Sequence, residues 1–275
     1  MATRRRILVS MSLSVTPRNV ERTLASLWTR APAEIAGLFI DDLEALNLSR
    51  LPVSREIRYD DASTRVPDPA DMQRQIQAHM HRIRAVFEAR ARTMNVASTF
   101  RVARGPLVPS LLEASAGFDV LVLASSRDSI GQRLSLRMQI PTLLEKGPRT
   151  LIIVREPSQR TGSIAVVYRD TEGGRAALQT AMDIASGEKL PLSVLLPAAD
   201  APQRAELRAQ AATHIGAHPA VSFQGLQDGE ATTIAEATAR AAARALVLPR
   251  DDAKAACQLA LDVLEQINCT VILTG

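Results

Sequence analysis

No stretch of this 275-residue chain approaches the roughly 18 consecutive apolar residues that a membrane-spanning helix needs, and the opening Met-Ala-Thr-Arg-Arg-Arg passes straight into a strand-like segment without a signal-peptide core. A cytoplasmic protein with no membrane partner is expected. Cysteine is nearly absent. Cys257 and Cys269 fall on what read as a helix and the start of a strand, which suits reduced packing residues better than a disulfide or a metal site. The chain also lacks a G-x-S-x-G nucleophile elbow, a Walker A loop and a G-x-G-x-x-G turn, the usual marks of hydrolase, P-loop and dinucleotide chemistry. With no catalytic residue identifiable, the chain is read as a non-enzyme.

Histidine is scarce and poorly placed for metal. His214 and His218 stand four apart, but Gly216 and Pro219 end any helix that would align them. His79 and His81 stand two apart on a long helix, point in different directions, and read as surface residues.

Positive charge is present in excess but unevenly shared. Residues 1–155 hold 23 Lys and Arg against 15 Asp and Glu, whereas residues 156–275 hold 10 against 14. A polyanion partner for the first half is one reading. Attraction between oppositely charged halves, or simply an arginine-rich proteome, is the other, and it is favoured because the arginines are spread over every element and no nucleic-acid-binding pattern accompanies them. Nucleic acid is not the expected partner.

The same order of elements occurs twice. Short apolar strands are expected at RRILVS (Arg5 to Ser10), AEIAGLFI (Ala33 to Ile40), STFRVARG (Ser98 to Gly105), FDVLVLAS (Phe118 to Ser125) and RTLIIVRE (Arg149 to Glu156). Between the first two, Thr16 and Pro17 supply an N-cap and a first-turn proline for a helix reaching about Arg30. Asp68-Pro69 starts a long helix whose Met72, Ile76, Met80, Ile83, Phe87, Ala91 and Met94 form a continuous apolar stripe. Further helices are expected over Leu107 to Ala116 and from about Leu136 to Lys146. After a polar linker, Glu156 to Gly162, the order restarts with SIAVVYRD, LPLSVLLP, AVSFQG, ALVLP and TVILT as strands and helices between them. Strands that are apolar throughout and alternate with helices mean parallel sheets covered on both faces.

The strand ILVS, the run AEIAGLFIDD, the strand VARG, then FDVLVLASS and a closing LIIVR together resemble the universal stress protein family, here as a tandem pair in one chain. The likeness covers nearly all of the first half and the second in a degraded form. It implies an α/β fold of two tandem, doubly wound, five-stranded parallel-sheet domains (adenine nucleotide alpha hydrolase-like). The first spans 1–155 with an insertion at about 41–67, and the second spans 163–275, the two packed as an intramolecular pseudo-dimer that could dimerise further. It also places any ligand at the carboxyl ends of the strands.

ATP-binding members of the family carry an aspartate after the first strand and a glycine loop after the fourth, because main-chain N–H groups must approach phosphate closely. Here those glycine positions hold Ala124, Arg127 and Arg137, the following Ser/Thr position holds Met138, and the aspartate position holds Ser12. In the second half the aspartate position falls on Arg169, and VLPRDDAKAA (Val247 to Ala256) is too short for the loop. Ser12, Ile40, Ala124, Ser125, Ser126, Arg127, Gly131, Arg133, Arg137 and Met138 are therefore the candidate binding positions, with Ser125, Ser126, Arg127, Arg133 and Arg137 able to supply hydroxyl and guanidinium donors where glycine would have exposed backbone. Either the loop is remodelled for another anion or an acidic partner, or it has decayed into solvated arginines.

The stretch from Asp41 to Asp68 is longer than a parallel unit needs, and its leucines favour an ordered cover. It could cap a ligand or pack on the other half. Two functions remain: a non-enzymatic stress-response or regulatory protein acting through an unknown protein partner without family-type ATP binding, or a sensor holding an adenine nucleotide or other anion in the first domain. No cofactor is expected under the first.

Overall fold

The computed structural model describes residues 5–13, 15–25, 34–41, 56–57, 64–65, 68–124, 139–154, 162–216 and 220–275. Strands β1 (Arg6–Met11), β2 (Glu34–Asp41), β5 (Ala97–Arg104), β6 (Val120–Ala124) and β7 (Thr150–Val154) belong to the first half, with the minor strands β3 (Glu56–Ile57) and β4 (Thr64–Arg65) between β2 and β5. Strands β8 (Ile164–Val167), β9 (Leu192–Pro197), β10 (Val221–Leu226), β11 (Ala245–Pro249) and β12 (Thr270–Thr274) belong to the second. Helices α1 (Pro17–Ala25), α2 (Pro69–Thr93), α3 (Leu107–Ser115), α4 (Glu172–Glu188), α5 (Ala201–Ile215), α6 (Ala231–Arg240) and α7 (Ala253–Gln266) connect them, together with helical residues 139–146.

Each half is a five-stranded parallel unit, as the alternation of apolar strands and helices predicts, but the two do not remain separate sheets. The strand order is β10-β9-β8-β11-β12-β7-β6-β1-β2-β5, a single ten-stranded sheet in which only the β12–β7 contact is antiparallel. The expectation of two sheets merely packed together is corrected here, and the reason lies in the fifth strands. TLIIV and TVILT are buried at every position and carry no charge, so neither could end a sheet in water.

Register shows how alike the halves are. Ile7, Ile35, Ser98, Val120 and Thr150 share one row of the first half, and Ile164, Leu192, Val221, Ala245 and Thr270 share the matching row of the second. Thr150 thus corresponds to Thr270 and Ile152 to Ile272. Across the junction Ile152 pairs with Ile272, so a pseudo-twofold axis runs between these two residues. The hydroxyls of Thr150 and Thr274 are bonded at 3.0 Å in the buried seam. Arg250 adds to it from the second half, donating through one Nη to the carbonyls of Pro148 (2.6 Å) and Arg149 (3.3 Å). The ion pairs Arg6–Glu34, Arg104–Asp41, Arg175–Asp170 and Arg244–Glu188 each lie within one half.

Helices α1, α2, α4 and α5 cover one face of the sheet, and α3, residues 139–146, α6 and α7 cover the other. On α2 the stripe read from sequence faces inward: Ile76, Ile83, Phe87 and Ala91 are buried, and Met72, Met80 and Met94 half-buried. Each fully buried aliphatic or aromatic side chain contributes about 1.5–3 kcal/mol of transfer free energy. Asp68 caps α2 through a bond from Ala70 N–H to its carboxylate, and Pro69 stands in the first turn, as expected. Helix α5 ends before Gly216, at φ 61°, as the glycine and Pro219 predicted; His218 lies outside the described residues. In the 41–67 insertion, β3 and β4 pair antiparallel as a separate ribbon. Of the linker, Glu156 to Gly162, all but Gly162 lies outside the described residues. Cys257 and Cys269 are both buried and are not joined in a disulfide.

Candidate functional site

The carboxyl ends of β1, β2, β5 and β6 form the position where the first half would hold a ligand. Ser12 follows β1 and is half-buried, and its carbonyl accepts the Val15 N–H at 3.0 Å in the turn leading to α1. Thr16 then caps α1. Its hydroxyl oxygen accepts the Asn19 N–H (3.2 Å), and the Asn19 side-chain oxygen accepts the Thr16 N–H (3.1 Å), so two donors at the helix start are satisfied locally.

His79 was missed as a contributor to this turn. Rather than lying on the surface, it reaches back from α2, donates Nε2–H to the Val15 carbonyl at 2.9 Å, and sets its ring 6.3 Å from that of Phe39. The signal was available: His79 lies three residues after Ile76 and four before Ile83, inside the apolar stripe. His81 is exposed, as expected.

Ile40 is only 1% exposed and packs with Leu111 in the layer beneath α3, so only its main chain can face a ligand. Asp41, the next residue, is 8% exposed. One of its carboxylate oxygens lies 3.5 Å from Nε of Arg104; the other is buried and has no hydrogen-bond partner among the described residues. Ala124 closes β6, half-buried. Ser125, Ser126, Arg127, Gly131, Arg133, Arg137 and Met138 lie outside the described residues.

Because the rows match, the corresponding positions in the second half are Arg169 for Ser12, Pro197 for Ile40, Pro249 for Ala124, Arg250 for Ser125 and Asp251 for Ser126. This position is closed by the chain itself. Thr171 caps α4, its hydroxyl oxygen accepting the Gly174 N–H at 3.0 Å. Asp251 leans over the same helix start, one carboxylate oxygen accepting the Gly173 N–H (2.8 Å) and the other the Thr171 hydroxyl (2.7 Å). A carboxylate from the short β11–α7 connection thereby occupies the positive end of α4, where a ligand phosphate would otherwise meet free N–H groups.

The fit is close: a Cβ on Gly173 would come within 2.4 Å of the Asp251 oxygen, and one on Gly229 within 2.6 Å of the Arg169 guanidinium. Beside the closed helix start, a cleft of about 300 Å³ is lined from both halves by Gly147, Arg149, Glu172, Arg250 and Asp251. Burial lowers the Arg250 pKa from its usual value, the mark of a guanidinium held against the seam. Among the described residues there is no group of three or more His, Cys, Asp and Glu side chains arranged to hold a metal ion. No described helix is long and apolar enough to cross a membrane.

Two parallel five-stranded units, each ordered 3-2-1-4-5 and joined through their fifth strands, define the architecture. The fold is that of the universal stress proteins. A universal stress protein from Archaeoglobus fulgidus DSM 4304 is similar over 98% of this chain and 96% of its own, with a TM-score of 0.68 at 14% identity. A protein of Pseudomonas aeruginosa UCBPP-PA14 assigned to the universal stress proteins is similar over 99% of this chain and 93% of its own, with a TM-score of 0.60 at 12% identity. The cytoplasmic domain of a prokaryotic cation chloride cotransporter is similar over 98% of this chain and 95% of its own, with a TM-score of 0.59 at 16% identity. No family model and no curated protein matches the sequence.

Proposed function

We propose that this chain is a tandem universal stress protein-like, non-enzymatic protein that acts in a stress response or its regulation by binding a partner, without binding ATP in the family manner. The observation that carries this reading is the second-half position, where Asp251 and Thr171 take the N–H groups at the start of α4 and Arg169 lies against Gly229. In the first half, Ser12 replaces the aspartate, and side chains at Ala124, Arg127 and Arg137 replace the loop glycines. The likeness to the cytoplasmic domain of a cation chloride cotransporter, where this fold is one part of a larger protein, supports a role in association.

One observation favours a second reading, a small-ligand sensor in the first half. The buried Asp41 oxygen without a described partner is an acceptor that a ligand hydroxyl or amino group would satisfy. Mass spectrometry of small molecules retained through native purification, with calorimetry using ATP, GTP and inorganic polyphosphate at two salt concentrations, separates the two. The partner-binding reading expects no retained nucleotide and only weak, salt-sensitive, base-indifferent binding. Tight, adenine-selective binding that survives high salt and is lost on Ser12→Leu would overturn it.

A further inference from the structure

The outer edges of the ten-stranded sheet, β5 and β10, occupy corresponding places in the two halves but are finished differently. Phe100 on β5 corresponds by row to Phe223 on β10, and Val102 to Gly225. Each phenyl ring lies under a guanidinium from the covering helix: Arg84 of α2 is 5.6 Å from the Phe100 ring and Arg208 of α5 is 5.2 Å from the Phe223 ring. Aligning the helices on these two arginines sets Ile83 against Leu207, both facing the same core cluster. It also sets Met80 against Arg204 and Phe87 against Ala211.

The first half fills the space between helix and edge strand. Phe87 packs edge-on against Phe100 at 5.8 Å, and Met80 is half-buried beside the same core. In the second half, alanine replaces phenylalanine and glycine replaces valine, and an open groove of about 480 Å³ remains between α5 and β10. Its floor is Leu196, Phe223 and Gly225, and its helix wall is alanine-rich, with Arg204 and Arg208. Arg204 lies directly over Gly225, where a Cβ would come within 2.3 Å of its Nε. That Nε is buried, and among the described residues it has no hydrogen-bond partner and neither Arg204 nor Arg208 has a carboxylate partner. Relative to its counterpart, the groove has lost apolar volume and gained unpaired positive charge.

The strand at its foot has an open backbone. Leu192 N–H bonds the Ala220 carbonyl and Ala198 N–H bonds the Leu226 carbonyl, so in this parallel pairing the even-numbered residues of β10 turn their main chain toward β9. Val221, Phe223 and Gly225 turn theirs outward. Phe223 and Gly225 also face the groove, so free main-chain groups and the two guanidiniums lie along one line.

We propose that this groove is a docking site for an extended, acidic segment of a partner protein, which adds to β10 as an eleventh strand and lays carboxylates at alternate positions against Arg204 and Arg208. Main-chain bonds to an exposed edge give affinity, and alternate side chains give specificity. Guanidiniums recognise carboxylates through paired, charge-assisted hydrogen bonds. The proposal rests on the partner-binding reading above, but its test reads peptide rather than nucleotide binding, so either can fail alone.

The test is selection from a displayed library of random decapeptides on the full chain, followed by fluorescence polarisation of the selected peptides. Selected sequences should carry Asp or Glu two residues apart, and N-methylation of alternate peptide nitrogens should abolish binding. Arg204→Met, which installs the first half's residue, should weaken binding about tenfold or more, as expected for loss of a charge-assisted contact. Gly225→Val, which sets a side chain on the groove floor where Arg204 now lies, should abolish it; it gives the same reading should Arg204→Met fail to fold by circular dichroism. No selected peptide, no acidic excess, indifference to N-methylation, or unchanged affinity in a folded Arg204→Met or Gly225→Val variant would each overturn the proposal. So would displacement of every selected peptide by inorganic pyrophosphate at micromolar concentration, which would mark the groove as a small-anion site.

Discussion

Gly173 and Asp251 can be tested as one unit, and the outcome has a defined sign. Asp251 accepts two hydrogen bonds at the start of α4, at 2.8 and 2.7 Å. Bonds to a charged group contribute about 1.5–3 kcal/mol in protected settings. Asp251 is solvent-exposed, so screening reduces this, and Asp251→Ala should cost about 1–2 kcal/mol. Gly173→Ala should cost a similar amount by another route. The new methyl group would sit 2.4 Å from the Asp251 oxygen and 2.9 Å from its carboxyl carbon, so the carboxylate must swing away and surrender both bonds. In the Asp251→Ala background the nearest remaining obstacle is the main-chain nitrogen of residue 251 at 3.2 Å, and alanine is a better helix residue than glycine by about 0.5–1 kcal/mol. The double variant should therefore be no less stable than Asp251→Ala alone. Urea denaturation of the four proteins at pH 7 gives the cycle directly, with a coupling of about 1 kcal/mol or more in favour of the double variant. Additive losses would show that the carboxylate does not close the helix start in the way described.

Tyr168 is fully buried, and its hydroxyl has no hydrogen-bond partner among the described residues. Tyr168→Phe should raise stability by about 1 kcal/mol by removing an unpaired polar group, and a loss of that size in denaturant melts would refute the assignment. Ile272, paired with Ile152 on the pseudo-twofold axis, is fully buried; Ile272→Ala should cost about 2–4 kcal/mol, and a cost below about 1 kcal/mol would mean the seam contributes little. Burial raises the Cys257 thiol pKa, so the neutral form is favoured in the folded chain and ionisation favours the unfolded one. This contribution should be intact below about pH 8.5, the usual thiol value, and be lost as pH rises through the higher folded value. Thiol-specific alkylation at pH 8 should accordingly be much slower in the native than in the urea-unfolded protein.

The strands and their order were legible because uninterrupted apolar runs bounded by turn residues admit few alternatives. ALVLP and TVILT match the observed strands residue for residue. The junction was legible in principle. Strands at the ends of a sheet carry polar residues, as ASTFRVAR and VSFQGL do here, whereas TLIIV and TVILT carry no charge and had to be paired. Periodicity within a strand reports which faces are covered and says little about which edge is covered. For that reason the continuous sheet escaped a reading of one strand at a time. The closed second site was missed for a related reason. VLPRDDAKAA is too short to hold a phosphate loop, but the same shortness draws Asp251 back onto α4, a contact 78 residues apart in sequence that no local pattern announces. Ser12 and Ile40 fall at the strand ends as the resemblance implied, while Asp41 and His79 emerge only when the neighbouring elements are in place.

Joining the fifth strands inside one chain changes what dilution can do. Two separate chains held by such a seam would part below some concentration, and any substitution in one would be repeated in the other. Here the partner across Ile152 and Ile272 is always present at the effective concentration set by the connecting residues, so the pairing is independent of how much protein there is. Each half is also free to differ from its counterpart. One sheet edge carries the Phe87–Phe100 pair while the other keeps an open groove over Phe223 and Gly225, and one helix start is closed by Asp251 while the other is capped by Thr16 and Asn19. A symmetric scaffold thereby presents two unlike ends to its surroundings in a fixed one-to-one ratio.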